Sequence, residues 1–427
     1  MRTYLDHAAT SPVRPEVAEQ LTQDLRDGLP GANPSALHAA GRRAGALLSE
    51  ARARLATALG VHPHEVIFTS GGTEAATLVV IGRALAGRAE SAGLTSQANH
   101  TRPENQAGRR KQPGQPRPSS QASPPALVVS PIEHPAVLDS ARVAQAELGV
   151  QLRLLEVDAD GLVVTTSLEQ ALASGGVALV SLMAANNETG VVQDLAGLVA
   201  QLRALSGQST PGRPGYVPVH SDVVAALGRM PVDFHGWGLD AMSLSGHKLG
   251  APVGIGALVA RRDLVLRAPS GGGRQERALR SGTQDVLGAR ALALAVELAL
   301  AERQAESVRL TALRERLITG VLALPGAHAT VRKAVAQLPS TAHFWFDDAD
   351  GEALLMALDL AGVDASAGSA CHAGVSRPSH VLLAMGLGEA AARATLRCSF
   401  GPTTSLADVE RLLAILPRAL ETARKLR

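Results

Sequence analysis

The chain has 427 residues, 46% hydrophobic and 19% charged, enough to bury one large domain and a smaller one. A net charge of +2 argues against a polyanionic partner, and an aromatic content of 2% leaves little to build a stacking surface for single-stranded nucleic acid. Two cysteines make no disulfide framework, which points to a reducing cytoplasm.

The opening "MRTYLDHAAT" lacks the apolar stretch of a signal peptide, and later apolar runs stop short of a membrane span. "VHPHE" (61–65) then sets two histidines at alternate positions around a proline. With no third ligand nearby in sequence, an exposed loop is favoured over a metal site. In "FTSGGTEAATLVV" (68–80) a strand end runs into Gly71, Gly72 and Thr73 and then a helical pattern. Such a junction is either a plain turn or a cradle of free N–H groups for a phosphate. Residues 87–125 are rich in Pro, Gln, Ser and Gly and read as a flexible insertion, since they bury too little apolar surface to order themselves. Arg109, Arg110 and Lys111 within it read as a solvated basic linker rather than a contact for an acidic partner. Residues 206–215 read as a second, shorter insertion.

From residue 126 short β-rich runs alternate with helical patterns. Strands are predicted at 126–130, 150–157, 176–184, 216–222, 240–246 and 254–260, with helices over 135–148 and near 194–205. The fold class is therefore α/β, a mostly parallel sheet with helices on both faces, and its ligands belong at the carboxyl ends of the strands. From about residue 305 a long helix, "TAHFWFDD", a helix near 351–360, "ATLRCSF" and a final helix from about 406 predict a smaller α+β domain.

Four polar residues fall at predicted strand ends. Lys248, in "SLSGHKLGAPVGIG", is either a surface lysine or a Schiff-base lysine, and Ser245, His247 and the glycines around it favour the second. Asp222 is either a helix cap or the partner of a protonated pyridine nitrogen. His134 is either a loop histidine or a ring lying over a planar cofactor, and Asn187 either a turn amide or a donor to a ring hydroxyl. Cys371, in "GSACHAG", sits among residues too small to form a core, and a loop of that kind suits a thiolate that carries a group in and out. Cys398, in the strand-like "ATLRCSF", is expected to be buried and inert.

These pieces occur in one order. With "YLDHAAT", "GANPSALHAAGRRA", "GGGRQERALRSGTQDV" and "AGSACHAGVSRPSHVLLAMG", the chain resembles the cysteine desulfurases of the NifS and IscS type. These are fold-type I pyridoxal phosphate enzymes of the class V aminotransferase family. The resemblance spans nearly the whole chain outside the two insertions. It implies a large cofactor-binding domain over 14–303 and a small domain over 304–427, joined by the segment 1–13. It implies pyridoxal 5′-phosphate carried by Lys248, paired through Asp222, stacked under His134 and near Asn187 at its ring hydroxyl. Gly72, Thr73, Ser245 and His247 would hold its phosphate, and Thr283 would reach the phosphate of a second copy, making a homodimer. Asn33 and Arg397 would hold the carboxylate of L-cysteine. Lys248, Cys371 and His134 would be the catalytic residues, with Cys371 taking the sulfur as a persulfide, L-alanine leaving, and a sulfur-acceptor protein such as an iron–sulfur scaffold receiving it. No metal, membrane or nucleic acid is implied.

Three departures stand out: Ala225 where the family has a glutamine, Ala251-Pro252-Val253-Gly254 after the lysine instead of Gly-Pro-Lys-Gly, and His7 in place of an asparagine. Two other readings share the scaffold, a selenocysteine lyase and a non-catalytic partner protein. Ala225 is the warning sign for the latter, and the joint presence of Lys248, Asp222, Cys371 and Arg397 argues against it.

Overall fold

Short runs of Val, Leu, Ile and Ala, most of them buried on both faces, build the central sheet of this computed structural model, as a sheet covered by helices on both sides requires. The structure describes residues 2–92, 124–207, 215–332, 334–368 and 378–426. In chain order the strands are β1 (Thr3–Tyr4), β2 (Val66–Thr69), β3 (Ala126–Val129), β4 (Gln151–Leu154), β5 (Val177–Ser181) and β6 (Val219–Asp222). They continue with β7 (Ala241–Ser245), β8 (Gly256–Ala260), β9 (Ala327–Ala329), β10 (Thr341–Phe346), β11 (Val363–Asp364) and β12 (Thr395–Ser399).

The seven-stranded sheet has the order β2-β8-β7-β6-β5-β3-β4. Only β8 runs against its neighbours, pairing antiparallel with β2 and β7. The carboxyl ends of the other six therefore share one edge. Two apolar clusters cover its faces, one with the helix Ala39–Leu59 and the start of Val286–Leu322, the other with Gly72–Ser91 and Pro135–Leu148. The smaller unit is a β12-β10-β9 antiparallel sheet backed by the helices Gly351–Leu360 and Leu406–Lys425. The N-terminal segment joins it, because β1 pairs with β11 and Asp6 bridges Ser399.

One boundary needs correction. The helix Gly72–Ser91 continues past residue 87, so ordered backbone extends into the expected insertion. Gly87 is the reason: a Cβ there would lie 2.9 Å from the Ala178 Cβ and 3.1 Å from the Pro125 Cβ, so the helix packs directly on the sheet. Arg83 pairs with Glu90 further along the helix, and Ala86 and Ala89 are buried. Residues 93–123 lie outside the described residues, as do 208–214 of the second expected insertion. The long helix Val286–Leu322 is continuous for 37 residues. It contributes Val286 to Ala299 to the large core and Leu310 to Val321 to the small one. Among the described residues no helix is long and apolar enough to cross a membrane.

Candidate active site

The carboxyl ends of β2, β6 and β7 and the loops after β3 and β5 open into one cavity of about 230 Å3, which Leu338 and Thr341 also line. The helix Gly72–Ser91 starts at its wall. The first N–H groups of a helix have no partner within it and carry the positive end of its dipole. A Cβ at Gly72 would lie 2.8 Å from Val224 Cγ2 and 3.4 Å from Ser245 Cβ, so the missing side chain lets the helix begin this close to β6 and β7. Thr73, Ser245 and His247 line the same end. Burial, then the charge of Lys248, lowers the His247 pKa to about 4, and its Nδ1 lies 3.1 Å from Thr10 Oγ1.

Asp222 ends β6 and is buried. Its Oδ1 accepts the Val224 amide at 2.8 Å, and among the described residues no side chain forms an ion pair with it. Burial raises its pKa to about 6, against the opposing pull of that hydrogen bond and of Lys248. Glu133 is fully buried nearby. Burial and then the charge of Asp222 raise its carboxyl pKa well above the ordinary range, against hydrogen bonds from the Met183 amide and the Ser181 hydroxyl. His134 caps the helix Pro135–Leu148, its Nδ1 accepting the Ala136 amide at 3.1 Å, and burial followed by the charges of Lys248 and His380 lowers its pKa to about 4. That leaves a neutral ring against the cavity.

Lys248 closes the 3-10 turn Gly246–Lys248 directly after β7. Its Nζ donates to the carbonyls of Ala8 (2.6 Å) and Ala9 (2.5 Å). Burial, then the charges of Arg397 and Arg229, lowers its pKa to about 8, with Asp6 and Asp222 opposing. An amine at that value is far more available as a nucleophile or base near neutral pH than an ordinary lysine.

Eight residues singled out in the sequence thus line one cavity: Gly72, Thr73, His134, Asn187, Asp222, Ser245, His247 and Lys248. Arg397 stands behind that wall. It donates to the Asn187 carbonyl (3.1 Å) and pairs with Asp6 (2.7 Å), while its Nε is buried with no hydrogen-bond partner among the described residues. Asn33 does not line the cavity; it is exposed, and its Oδ1 accepts the Ser35 amide at 2.9 Å. Thr283 is exposed in the loop before Val286–Leu322 and does not line it either. Cys371 falls in 369–377, outside the described residues. The chain on either side of that segment is anchored beside the cavity. The Gly368 carbonyl accepts Arg397 Nη1 at 3.4 Å, Ser379 Oγ donates to Glu188 Oε2 at 2.5 Å, and His380 Nε2 lies 3.0 Å from the Glu133 carbonyl. Cys398 is fully buried in the small core, and burial raises its thiol pKa to about 12.

Two residues escaped the sequence reading. Arg229 lines the cavity beside Ala225 and donates to the Lys248 carbonyl at 3.3 Å. Its signal was a single charge in the apolar run "VVAALGRMPV". Glu133 was overshadowed by its neighbour His134, although a fully buried acid is itself unusual.

The family described as aminotransferase class-V matches residues 3–103 and 120–412. The chain is 41% identical to an IscS-like cysteine desulfurase of Mycobacterium tuberculosis, over 99% of this chain and 97% of that protein. It is 35% identical to a cysteine desulfurase of Gluconacetobacter diazotrophicus, over 99% and 94%. Among solved structures, a NifS-like protein from Rickettsia africae superposes with a TM-score of 0.80 at 27% identity, covering 99% of this chain and 100% of that one.

Proposed function

We infer the function from one premise: the chain belongs to the aminotransferase class-V family, whose cofactor is pyridoxal 5′-phosphate. It is a cysteine desulfurase, which takes sulfur from L-cysteine, releases L-alanine and passes the sulfur on as a persulfide.

The cavity residues fit that cofactor on three observations. The Gly72 approach leaves a helix N-terminus open to a phosphate, flanked by the hydroxyls of Thr73 and Ser245. Asp222 is a buried carboxylate with no cationic side chain bonded to it among the described residues, the counterpart a pyridinium nitrogen needs. Lys248 is an amine of lowered pKa at the same wall. When bound, the cofactor is an electron sink that loosens the Cα proton and then the sulfur of an amino acid.

The roles assigned to the residues are these. Lys248 anchors the cofactor covalently, and its free amine takes and returns the proton at Cα. Asp222 holds the ring nitrogen protonated. His134 covers the ring face and Asn187 faces the ring hydroxyl. Gly72, Thr73, Ser245 and His247 hold the phosphate, with Thr283 reaching that of a second copy in a homodimer. Arg397, whose Nε has no partner among the described residues, receives the substrate carboxylate, and Asn33 is assigned to share it. The Cys371 thiolate takes the sulfur and hands it to an acceptor protein such as an iron–sulfur scaffold. The division into 14–303 and 304–427, and a cytoplasmic location, belong to the same reading.

The observation that carries the proposal is the convergence of Lys248, Asp222, His134 and the Gly72 helix start on one cavity. Borohydride reduction followed by peptide mapping tests it, together with alanine release from L-cysteine. The expected adduct is on Lys248, and Lys248→Ala abolishes both signals. An adduct on another lysine, or alanine formation by Lys248→Ala at the parent rate, contradicts the assignment.

A further inference from the structure

At the opposite edge of the sheet, the "VHPHE" turn gains the ligand its sequence lacked. His62 precedes the 3-10 turn Pro63–Glu65 that leads into β2. His235 sits in the loop between β6 and β7, directly after the fully buried Phe234. One ligand atom each from His62, Glu65 and His235 falls within 4.8 Å of the others. His235 Nε2 and Glu65 Oε2 are 3.3 Å apart. Ligand atoms about 2.0–2.1 Å from a tetrahedral zinc lie about 3.4 Å from each other, so this pair already has the spacing of two zinc ligands. Glu65 is the fixed member. It is 4% exposed, and its Oε2 accepts the His62 amide at 2.8 Å, the kind of supporting bond that orients a metal-binding carboxylate. The two imidazoles are exposed, the His62 ring stacked on His64 with centroids 5.2 Å apart and the His235 ring edge-on to Phe234 at 5.0 Å.

We propose that His62, Glu65 and His235 form a binding site for a divalent transition-metal ion of the zinc class, with water in the fourth position. Two imidazoles and one carboxylate suit zinc or cobalt, whereas calcium and magnesium take all-oxygen sets. Three arginines, Arg261, Arg262 and Arg277, line the same hollow, and two of them are held by partners other than the three ligands. Arg277 is committed to the carbonyls of His64, Ala260 and Arg261, and Arg261 pairs with Asp240 and Asp263. The ion joins the turn before β2 to the loop before β7, the strands on either side of β8. It lies toward the amino ends of those strands, away from the cavity at their carboxyl ends. Its effect is to tie the turn to the loop and not to take part in desulfuration.

The test is titration of the untagged, cofactor-loaded protein with Co2+, read by the visible absorption of the four-coordinate ion. Cys371→Ser serves as the background, so that a reactive thiol cannot supply the signal. One equivalent is expected to bind, with the melting midpoint rising on binding. His62→Ala and His235→Ala are each expected to weaken binding at least about tenfold. In the chain that retains Cys371, His235→Ala is expected to leave alanine release unchanged. Failure to bind one equivalent, or affinity unchanged in either histidine variant, overturns the proposal.

Discussion

Replacing Asp222 with Asn removes a charge and little else, since the amide oxygen still accepts the Val224 N–H. In the parent protein stripped of cofactor, burial holds the Asp222 pKa at about 6, against 3.8 for the free side chain. A folded pKa above the unfolded one stabilises the fold fully below the unfolded value and loses that contribution as pH rises through the folded value. Relative to acid, the ionised Asp222 therefore destabilises the stripped protein. The onset falls between about pH 4 and pH 6, and the cost is on the order of 3 kcal/mol for a two-unit shift. Asp222→Asn should be more stable than the parent at pH 7 when both are stripped, by up to about that amount. It should show no advantage at pH 4, where the parent side chain is protonated. With pyridoxal phosphate added, the order reverses, because only the carboxylate gains a pyridinium partner. Urea unfolding of both proteins at pH 4 and pH 7, with and without cofactor, measures all four states. A stripped variant no more stable than the parent at pH 7, or an advantage that does not change with pH, refutes the reasoning.

Ala225→Gln should return a hydrogen bond toward the ring hydroxyl worth about 0.5–1.5 kcal/mol, read as a shift in the pH titration of the bound cofactor's absorbance or a modest rise in rate. An unchanged titration and rate would mean that another group already fills the role, Arg229 being one that lines the same cavity. Replacing residues 93–123 with a short Gly/Ser link should leave the melting temperature and alanine release close to the parent's, because closing a shorter loop costs little; a large loss of either would contradict this. Cys398→Ser should keep full alanine release and lose only stability, since a hydroxyl replaces a fully buried thiol; a loss of turnover at unchanged stability would give Cys398 a chemical role.

The site was legible wherever a residue's position depended on its own strand. Asp222, Ser245 and Lys248 sit at or just past the ends of short apolar strands, and parallel pairing forces those ends together. Contacts between residues far apart along the chain were not legible, even where one of the residues was. Arg397 finds Asp6 391 residues away, and His62 and Glu65 find His235 across the start of the sheet. The start of the insertion was misjudged because composition alone was weighed. Gly87, Arg83 and Glu90 hold the helix to the sheet by contacts that composition does not contain. The long helix Val286–Leu322 has the opposite lesson. Its apolar face changes partner between Ala299 and Leu310, so no single period marks it from end to end.

The most direct test of cysteine desulfuration through Cys371 follows the sulfur. A single turnover with one equivalent of L-cysteine, quenched and mapped by peptide mass, locates the sulfane sulfur on the protein. One equivalent of alanine is expected, with a persulfide on the Cys371 peptide, Cys398 unmodified, and Cys371→Ser accumulating no persulfide. Sulfane sulfur on the Cys398 peptide, or alanine released with no sulfur bound to the protein, would contradict it.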